Sequence, residues 1–336
     1  MPCTRQPQGC NGRLYNVLLM PQRQDVCLPL CRRKGLLPCR PLCFPDVLQT
    51  PFCSASCRAG SPWADGRLMR GLAAASLSFS LKEKGMTKRI GFIGGSIQNF
   101  ASLFEPEKSK LVKTQWGKPS SPLCFLRFKD IDVEVVHLAR HGAGHSLPPH
   151  SINNRANIQA LADAGCSAIL VSSACGSLRE DLVPGTMVVP DQFIDFTRRT
   201  TTFFDEFKDG DIRHTVMADP FDPRLRESLL KGAQSCGLKA HDGGTVISIT
   251  GPRFSTRAES RMFRIWGADI INMTVAPECL LANEIGIPYA AIALVTDYDC
   301  WSADHPPLDF EGISRIMEVN GAEVEKTLLA AFASLA

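Results

Sequence analysis

From residue 88 onward, strand-length apolar runs alternate with segments of helical periodicity, and this alternation restricts the fold more than any other feature of the chain. KRIGFIGGS (88–96), DVEVVHLARHG (132–142), SAILVSSACGS (167–177), GTMVVPDQFIDFT (185–197), GGTVISITGPRF (243–254), IINMT (270–274) and PYAAIALVTDYD (288–299) read as strands. INNRANIQALADAGC (152–166), SRMFRIWGAD (260–269), APECLLANEIG (276–286) and residues 309–335 read as helices, the first stopping at Gly165. Strands alternating with helices predict an α/β domain over residues 86–336, with a mostly parallel or mixed sheet and helices on both faces.

Residues 1–85 do not share this pattern. They hold 12 Lys and Arg against 4 Asp and Glu, about +8, whereas the remainder holds 25 against 30, about −5. They also hold 8 of the 14 Cys and 9 of the 23 Pro. So sharp a shift places a boundary near Gly85 and Met86. Stretches such as LLPCRPLCFPDVLQTPFCSASCRAGSPWADGR are rich in breakers and poor in periodicity, so a disordered extension is expected. MTKRIGFIGGS, from Met86, reads as the natural beginning of a cytoplasmic α/β enzyme, which makes the preceding segment a start-site extension. Its Arg-rich, acid-poor composition, with a basic amphipathic stretch over 66–85, is the signature of the alternative, an organelle-targeting segment. Cys27/Cys31, Cys39/Cys43 and Cys53/Cys57 share one spacing, but no His accompanies them, and a metal module is not the favoured reading. The net charge of +3 is too small to imply nucleic acid. No apolar run reaches membrane-spanning length, so neither nucleic acid nor membrane is expected as a partner.

Polar residues gather where the predicted strands end: Ser96, Arg140 and His141, Ser173, Met273 and Thr274, Asp297 and Asp299. Ligands of open α/β sheets sit outside the carboxyl ends of the strands, so these tips can converge on one pocket. Gly94-Gly95-Ser96 offers backbone N–H groups and a hydroxyl without bulk, which suits an oxyanion. Arg140 adds a guanidinium fork that matches phosphate bidentately. Ser173 and Thr274 add hydroxyl donors, and the set as a whole suits a free phosphate dianion. The G-x-G-x-x-G fingerprint and the P-loop Lys are both missing, which removes the main support for a dinucleotide or ATP. Seven His occur without H-E-x-x-H spacing, so no metal is expected. Cys175, within Ala174-Cys175-Gly176, reads as packing rather than as a nucleophile. Asp297 and Asp299, at i and i+2, can both line a pocket, and burial or mutual repulsion raises such a carboxyl until it can donate a proton.

GFIGGS, ARHG, NNRANIQAL, SSACGSLRED, TGPRFSTRAESRMFRIWGADIINMT and VTDYDCW, in this order and spacing, resemble the methylthioadenosine phosphorylases of the purine nucleoside phosphorylase superfamily, from about residue 88 to 330. The resemblance implies a single-domain nucleoside phosphorylase-like fold with a central twisted mixed β-sheet flanked by helices. It implies phosphorolysis of S-methyl-5′-thioadenosine to adenine and 5-methylthioribose 1-phosphate, with inorganic phosphate as co-substrate and no cofactor. By position it implies a phosphate site at Ser96, Arg140, His141, Ser173 and Thr274, with Ser96 standing where many members carry Thr. Met273 would pack on the ribose, Ala174 would line the nucleoside site, Phe254 the base pocket, and Ser255 would lie near the base. Asp297 would meet N7 and Asp299 the exocyclic amine, as the catalytic pair. Ser255 and Phe310 are implied to bear on substrate choice; around Phe310 the stretch SADHPPLDFEGI departs from the relatives. Members are usually trimers in which a neighbour completes the 5′ pocket, so a homotrimer is expected.

An ionised carboxylate suits the donating 6-amino group of adenine and clashes with a 6-keto acceptor. A buried polar group left unpaired costs about 1–3 kcal/mol, so the acid pair points to adenine nucleosides. The alternative is a purine nucleoside phosphorylase acting on adenosine, inosine, guanosine or methylthioinosine. A non-catalytic nucleoside-binding protein and a hydrolase are readings from other classes; for a hydrolase, Arg140 and His141 would be superfluous.

Overall fold

The structure is a computed structural model that describes residues 88–95, 108–128, 131–208, 210–304 and 310–336. The segment 1–85 lies outside the described residues, and with it the expectations of disorder, targeting and Cys-pair metal binding.

Among the described residues, eleven strands form one mixed sheet. β1 (Lys88–Gly94) lies between β4 (Ile131–Ala139) and β5 (Ala168–Ser177), parallel to both. β3 (Leu123–Phe128) and β2 (Lys108–Lys110) extend the β4 side antiparallel. β11 (Tyr289–Asp297) runs parallel along the opposite edge of β5, from Tyr289 beside Ile169 to Asp297 beside Gly176. Beyond it lie β6 (Met187–Val189) and β8 (Ala240–Asp242). β10 (Ile270–Asn272) pairs antiparallel with the end of β5 and parallel with β9 (Thr245–Ile249), which pairs with β7 (Gln192–Phe196).

β5 is the pivot of this sheet. β1 stays paired with it only as far as Val171, and β10 joins the same edge only at Gly176. Ser172–Cys175 therefore have no strand partner on that edge. Such a switch point is where open α/β sheets take their ligands.

Two helical layers bury the sheet. On one face α1 (Asn154–Asp163) and α4 (Val275–Glu284) pack Ile158, Leu161, Cys279 and Leu281 against Ile93, Val136, Leu138 and Val171. On the other, α2 (Pro223–Ser235) and α5 (Phe310–Ser334) pack Leu229, Val324, Leu328 and Phe332 against Phe92, Val135, Leu170 and Ile292. Phe92 and Ile93 are consecutive and point to opposite layers, so a fully covered strand is apolar throughout instead of alternating. α3 (Arg257–Ile265) seats Phe263 on Ile247, Ile249 and Ile271.

Three expectations shift. The predicted strand 185–197 is two strands, β6 and β7, broken at Pro190, which has no N–H to give to a ladder. The predicted strand 243–254 stops at Ile249. α3 begins earlier than the predicted 260–269 because Thr256 and Glu259 form a capping box: Glu259 N donates to Thr256 Oγ1 at 3.2 Å, and Thr256 N to Glu259 Oε2 at 2.9 Å. α2 and β3 were not legible as elements, although Asp222 caps α2 through bonds from Arg224 N and Leu225 N, with Pro223 following. Among the described residues no helix is long and apolar enough to cross a membrane.

Candidate active site

A cavity of about 710 Å³ opens at the gap on the β5 edge. Arg140, His141, Ser173, Ala174, Phe254, Ser255, Met273, Thr274, Asp297 and Asp299 all line it, drawn from five strands and the loops that follow them. Ser96 lies outside the described residues. Phe310 opens α5, and its side chain is not among those described.

One end of the cavity is rich in hydrogen-bond donors. Arg140 follows β4, and its backbone N–H donates to Gly94 O at 2.9 Å, tying two strand ends together. Its side chain is 1% exposed. Nε donates to Glu278 Oε1, Nη2 to Glu278 Oε2 at 2.9 Å, and Nη1 to Ser172 O at 3.1 Å. The side-on edge of the guanidinium already holds a carboxylate, and only one N–H on each terminal nitrogen is left. Burial works against the Arg140 charge, but Glu278 more than offsets it and the pKa is raised. Tyr289 completes the clamp by donating from its hydroxyl to Glu278 Oε2 at 3.1 Å. A Cβ on Gly95 would lie 2.5 Å from Arg140 Nη1, so this glycine makes room for the guanidinium.

His141 Nδ1 lies 2.8 Å from Leu147 O. A carbonyl only accepts, so Nδ1 carries the hydrogen and Nε2 of the neutral ring is an acceptor. Burial and then the Arg140 charge push His141 down to about 4, so the ring is neutral at pH 7. His145 stacks on it with ring centroids 4.0 Å apart. Thr274 is the residue before α4, and its hydroxyl makes no capping bond. It is left for the cavity, with the positive end of α4 behind it.

The other end is acidic. Asp297 is the last residue of β11; its Oδ2 accepts from Thr296 Oγ1 and its Oδ1 from Asp299 N, each at 2.7 Å. Burial pushes its carboxyl up to about 6, against the pull of those two bonds and with a further push from Asp299. Burial also raises Asp299. Asp299 sits in the left-handed region, φ +50°, which Asp tolerates better than most residues. A Cβ on Gly176 would lie 2.9 Å from Asp297 Oδ1, so the acid reaches the β5 edge only because that position is bare. Ser173 and Gly176 are three residues apart on β5, which separates the donor-rich and acidic ends by about 10 Å.

His145, Asn272, Ile313 and Met317 also line the cavity, and Glu278 stands behind Arg140; none was singled out from sequence. Ile313 and Met317 are i and i+4 on α5, one helix face, so the periodicity carried a signal. So did Glu278, the one acid inside the apolar stretch VAPECLLA. Cys175 also lines the cavity, but burial raises its thiol far above the usual range, which leaves it protonated and weakly nucleophilic. Among the described residues no cluster of His, Cys, Asp and Glu is arranged to hold a metal ion.

The chain matches the phosphorylase superfamily over residues 89–333. It is 46% identical over 246 residues to the S-methyl-5′-thioadenosine phosphorylase of Danio rerio, covering 72% of this chain and 87% of that protein. The Xenopus tropicalis S-methyl-5′-thioadenosine phosphorylase is 44% identical over 251 residues, covering 74% and 89%. Among solved structures, the Schistosoma mansoni methylthioadenosine phosphorylase in complex with adenine superposes with a TM-score of 0.69 at 39% identity, covering 74% of this chain and 92% of that one. A mutant adenosine/methylthioadenosine phosphorylase from the same organism, in complex with methylthioadenosine, gives 0.68 at 38% identity, covering 74% and 91%.

Proposed function

The chain belongs to the phosphorylase superfamily, and on that footing we propose that it cleaves S-methyl-5′-thioadenosine with inorganic phosphate, releasing adenine and 5-methylthioribose 1-phosphate. The observation that carries this reading is one cavity with an anion-suited end at Arg140, Ser173 and Thr274 and a buried acid of raised proton affinity, Asp297, about 10 Å away. That spacing leaves room for a sugar between nucleophile and leaving group.

In this reading phosphate is the nucleophile. The free hydroxyl of Thr274, the N-terminal end of α4, the Ser173 hydroxyl and the remaining Arg140 N–H groups bind its oxygens. His141 presents an acceptor, so it takes the one P–OH hydrogen of the hydrogen phosphate dianion and turns an unprotonated oxygen toward C1′. As the glycosidic bond breaks, the sugar gains positive charge facing the bound anion. The purine gains negative charge, and Asp297 relieves it by hydrogen bonding or proton donation at N7. Asp299 accepts from the 6-amino group. Met273 packs on the ribose, Ala174 lines the nucleoside site, and Phe254 and Ser255 flank the base. Ile313 and Met317 form an apolar wall on the α5 side, which favours a methylthio group over a 5′-hydroxyl. The same reading takes the enzyme as a cytoplasmic homotrimer that needs no cofactor, with Ser96 and Phe310 in their family roles at the phosphate and the 5′ end.

The test compares S-methyl-5′-thioadenosine, adenosine and inosine with the full chain, with and without phosphate. The expected result is phosphate-dependent adenine release, fastest from S-methyl-5′-thioadenosine. Hypoxanthine release from inosine as the fastest reaction would overturn the base assignment. Release independent of phosphate would overturn the reaction.

A further inference from the structure

We propose that Ser248 and Asn272 are positioning residues that hold the Ser173 hydroxyl as a hydrogen-bond donor at the phosphate; the inference rests on the phosphorolysis reading above. The three residues lie on three strands, β9, β10 and β5, and Ser248 and Asn272 are register partners in the parallel β9–β10 pair. All three are buried, and Ser248 is wholly so.

The direction of the chain of bonds follows from its far end. Ala276 N, in the first turn of α4, donates to Ser248 Oγ at 3.0 Å. A backbone N–H can only donate, so Ser248 Oγ accepts there and its own hydrogen goes to Asn272 Oδ1 at 2.7 Å. Thr274 N points at the same oxygen at 3.4 Å. With two donors on its carbonyl end, the Asn272 amide is locked against rotation. Its Nδ2 then donates to Ser173 Oγ at 3.2 Å. That bond uses an acceptor site of Ser173 and leaves its hydrogen to be given away. Within the chain it points to Ala174 O at 3.0 Å; a hydroxyl is a rotor and turns to a phosphate oxygen. Were the amide reversed, its oxygen would claim the Ser173 hydrogen, and the hydroxyl would offer lone pairs to an anion. Ser248 does not line the cavity among the described residues, so it acts on the ligand only through Asn272.

The experiment measures KM for phosphate, KM for nucleoside and kcat in the full chain for Ser248→Ala, Ser248→Thr and Ser173→Ala, and for Ser248→Ala combined with Ser173→Ala. A hydrogen bond to a charged group is worth about 1.5–3 kcal/mol, so Ser173→Ala should raise the phosphate KM about 10-fold or more. Ser248→Ala should raise it severalfold with the nucleoside KM unchanged. Ser248→Thr should restore it, and the effect should vanish in the Ser173→Ala background. An Asn272→Asp variant, paired with the same double substitution, supplies the second measurement should Ser248→Ala fail to fold. If Ser173→Ala leaves the phosphate KM unmoved, the placement of phosphate at Ser173 fails. If it moves that KM but Ser248→Ala does not, or moves both KM values alike, or acts equally without the Ser173 hydroxyl, the relay is overturned. For Asn272→Asp, an effect that persists in the Ser173→Ala background counts against it in the same way.

Discussion

Asp297 shows how one side chain acquires a chemical role from its surroundings. An exposed Asp is ionised at neutral pH and has no proton to give. Here burial pushes the carboxyl up to about 6, so the donating form dominates below that pH and is lost above it. Accordingly kcat/KM for S-methyl-5′-thioadenosine should decline as pH rises through about 6, and the Asp297→Asn variant should lack that decline. The same variant should lose about 5–150-fold on 6-aminopurine nucleosides and gain on inosine, following the 1–3 kcal/mol attached to an unpaired buried group. Parallel kcat/KM profiles for the two substrates check both points, and an unchanged base preference would remove Asp297 from the base site. The acid and its position were legible in the sequence, because TDYD ends an apolar strand. Its proton affinity was not, since that depends on Gly176 and the walls of the cavity.

At the scale of elements, the joint between the β4 tip and α4 matters most. Arg140 and Glu278 are 1% and 0% exposed, and each supplies the other's counter-charge. Removing one partner of such a pair leaves a buried uncompensated charge and costs about 3–5 kcal/mol. Glu278→Gln should therefore lower the unfolding free energy by about 3–5 kcal/mol, and Arg140→Ala should do likewise while weakening phosphate binding. Replacing both together, Arg140→Met with Glu278→Leu, should recover much of the stability and none of the activity. Urea denaturation of the three variants separates these outcomes; a Glu278→Gln protein as stable as the parent would show that the pair does not hold the joint. Element boundaries followed local signals unevenly. The Thr256/Glu259 capping box and the Pro190 break stand in the sequence, yet each moved an end, because a periodic pattern blurs where it meets a cap or a proline.

For the whole molecule, acid is the informative perturbation. His137 stacks on Phe92 with ring centroids 5.3 Å apart, and burial pushes it down to about 4. The unfolded chain takes up that proton near 6.5 and the folded chain refuses it, so stability is full above 6.5 and is lost as pH falls from there to about 4. The loss reaches about 3 kcal/mol for this one group, and His141 adds to it in the same direction. The urea midpoint should fall across this window, and His137→Phe should flatten the fall; an unaltered slope would exclude His137 as a cause. The alternation of strands and helices over most of the domain and the identity of the residues at the strand tips were determined by the sequence alone, because periodicity and strand ends are local properties of the chain. What only the tertiary structure decided is which atoms those tips offer. Glu278 takes the side-on edge of a guanidinium 138 residues away, a carbonyl fixes the His141 tautomer, and β1 and β10 leave Ser172–Cys175 unpaired between them. Each of these depends on register between segments distant in the chain, which no local pattern encodes.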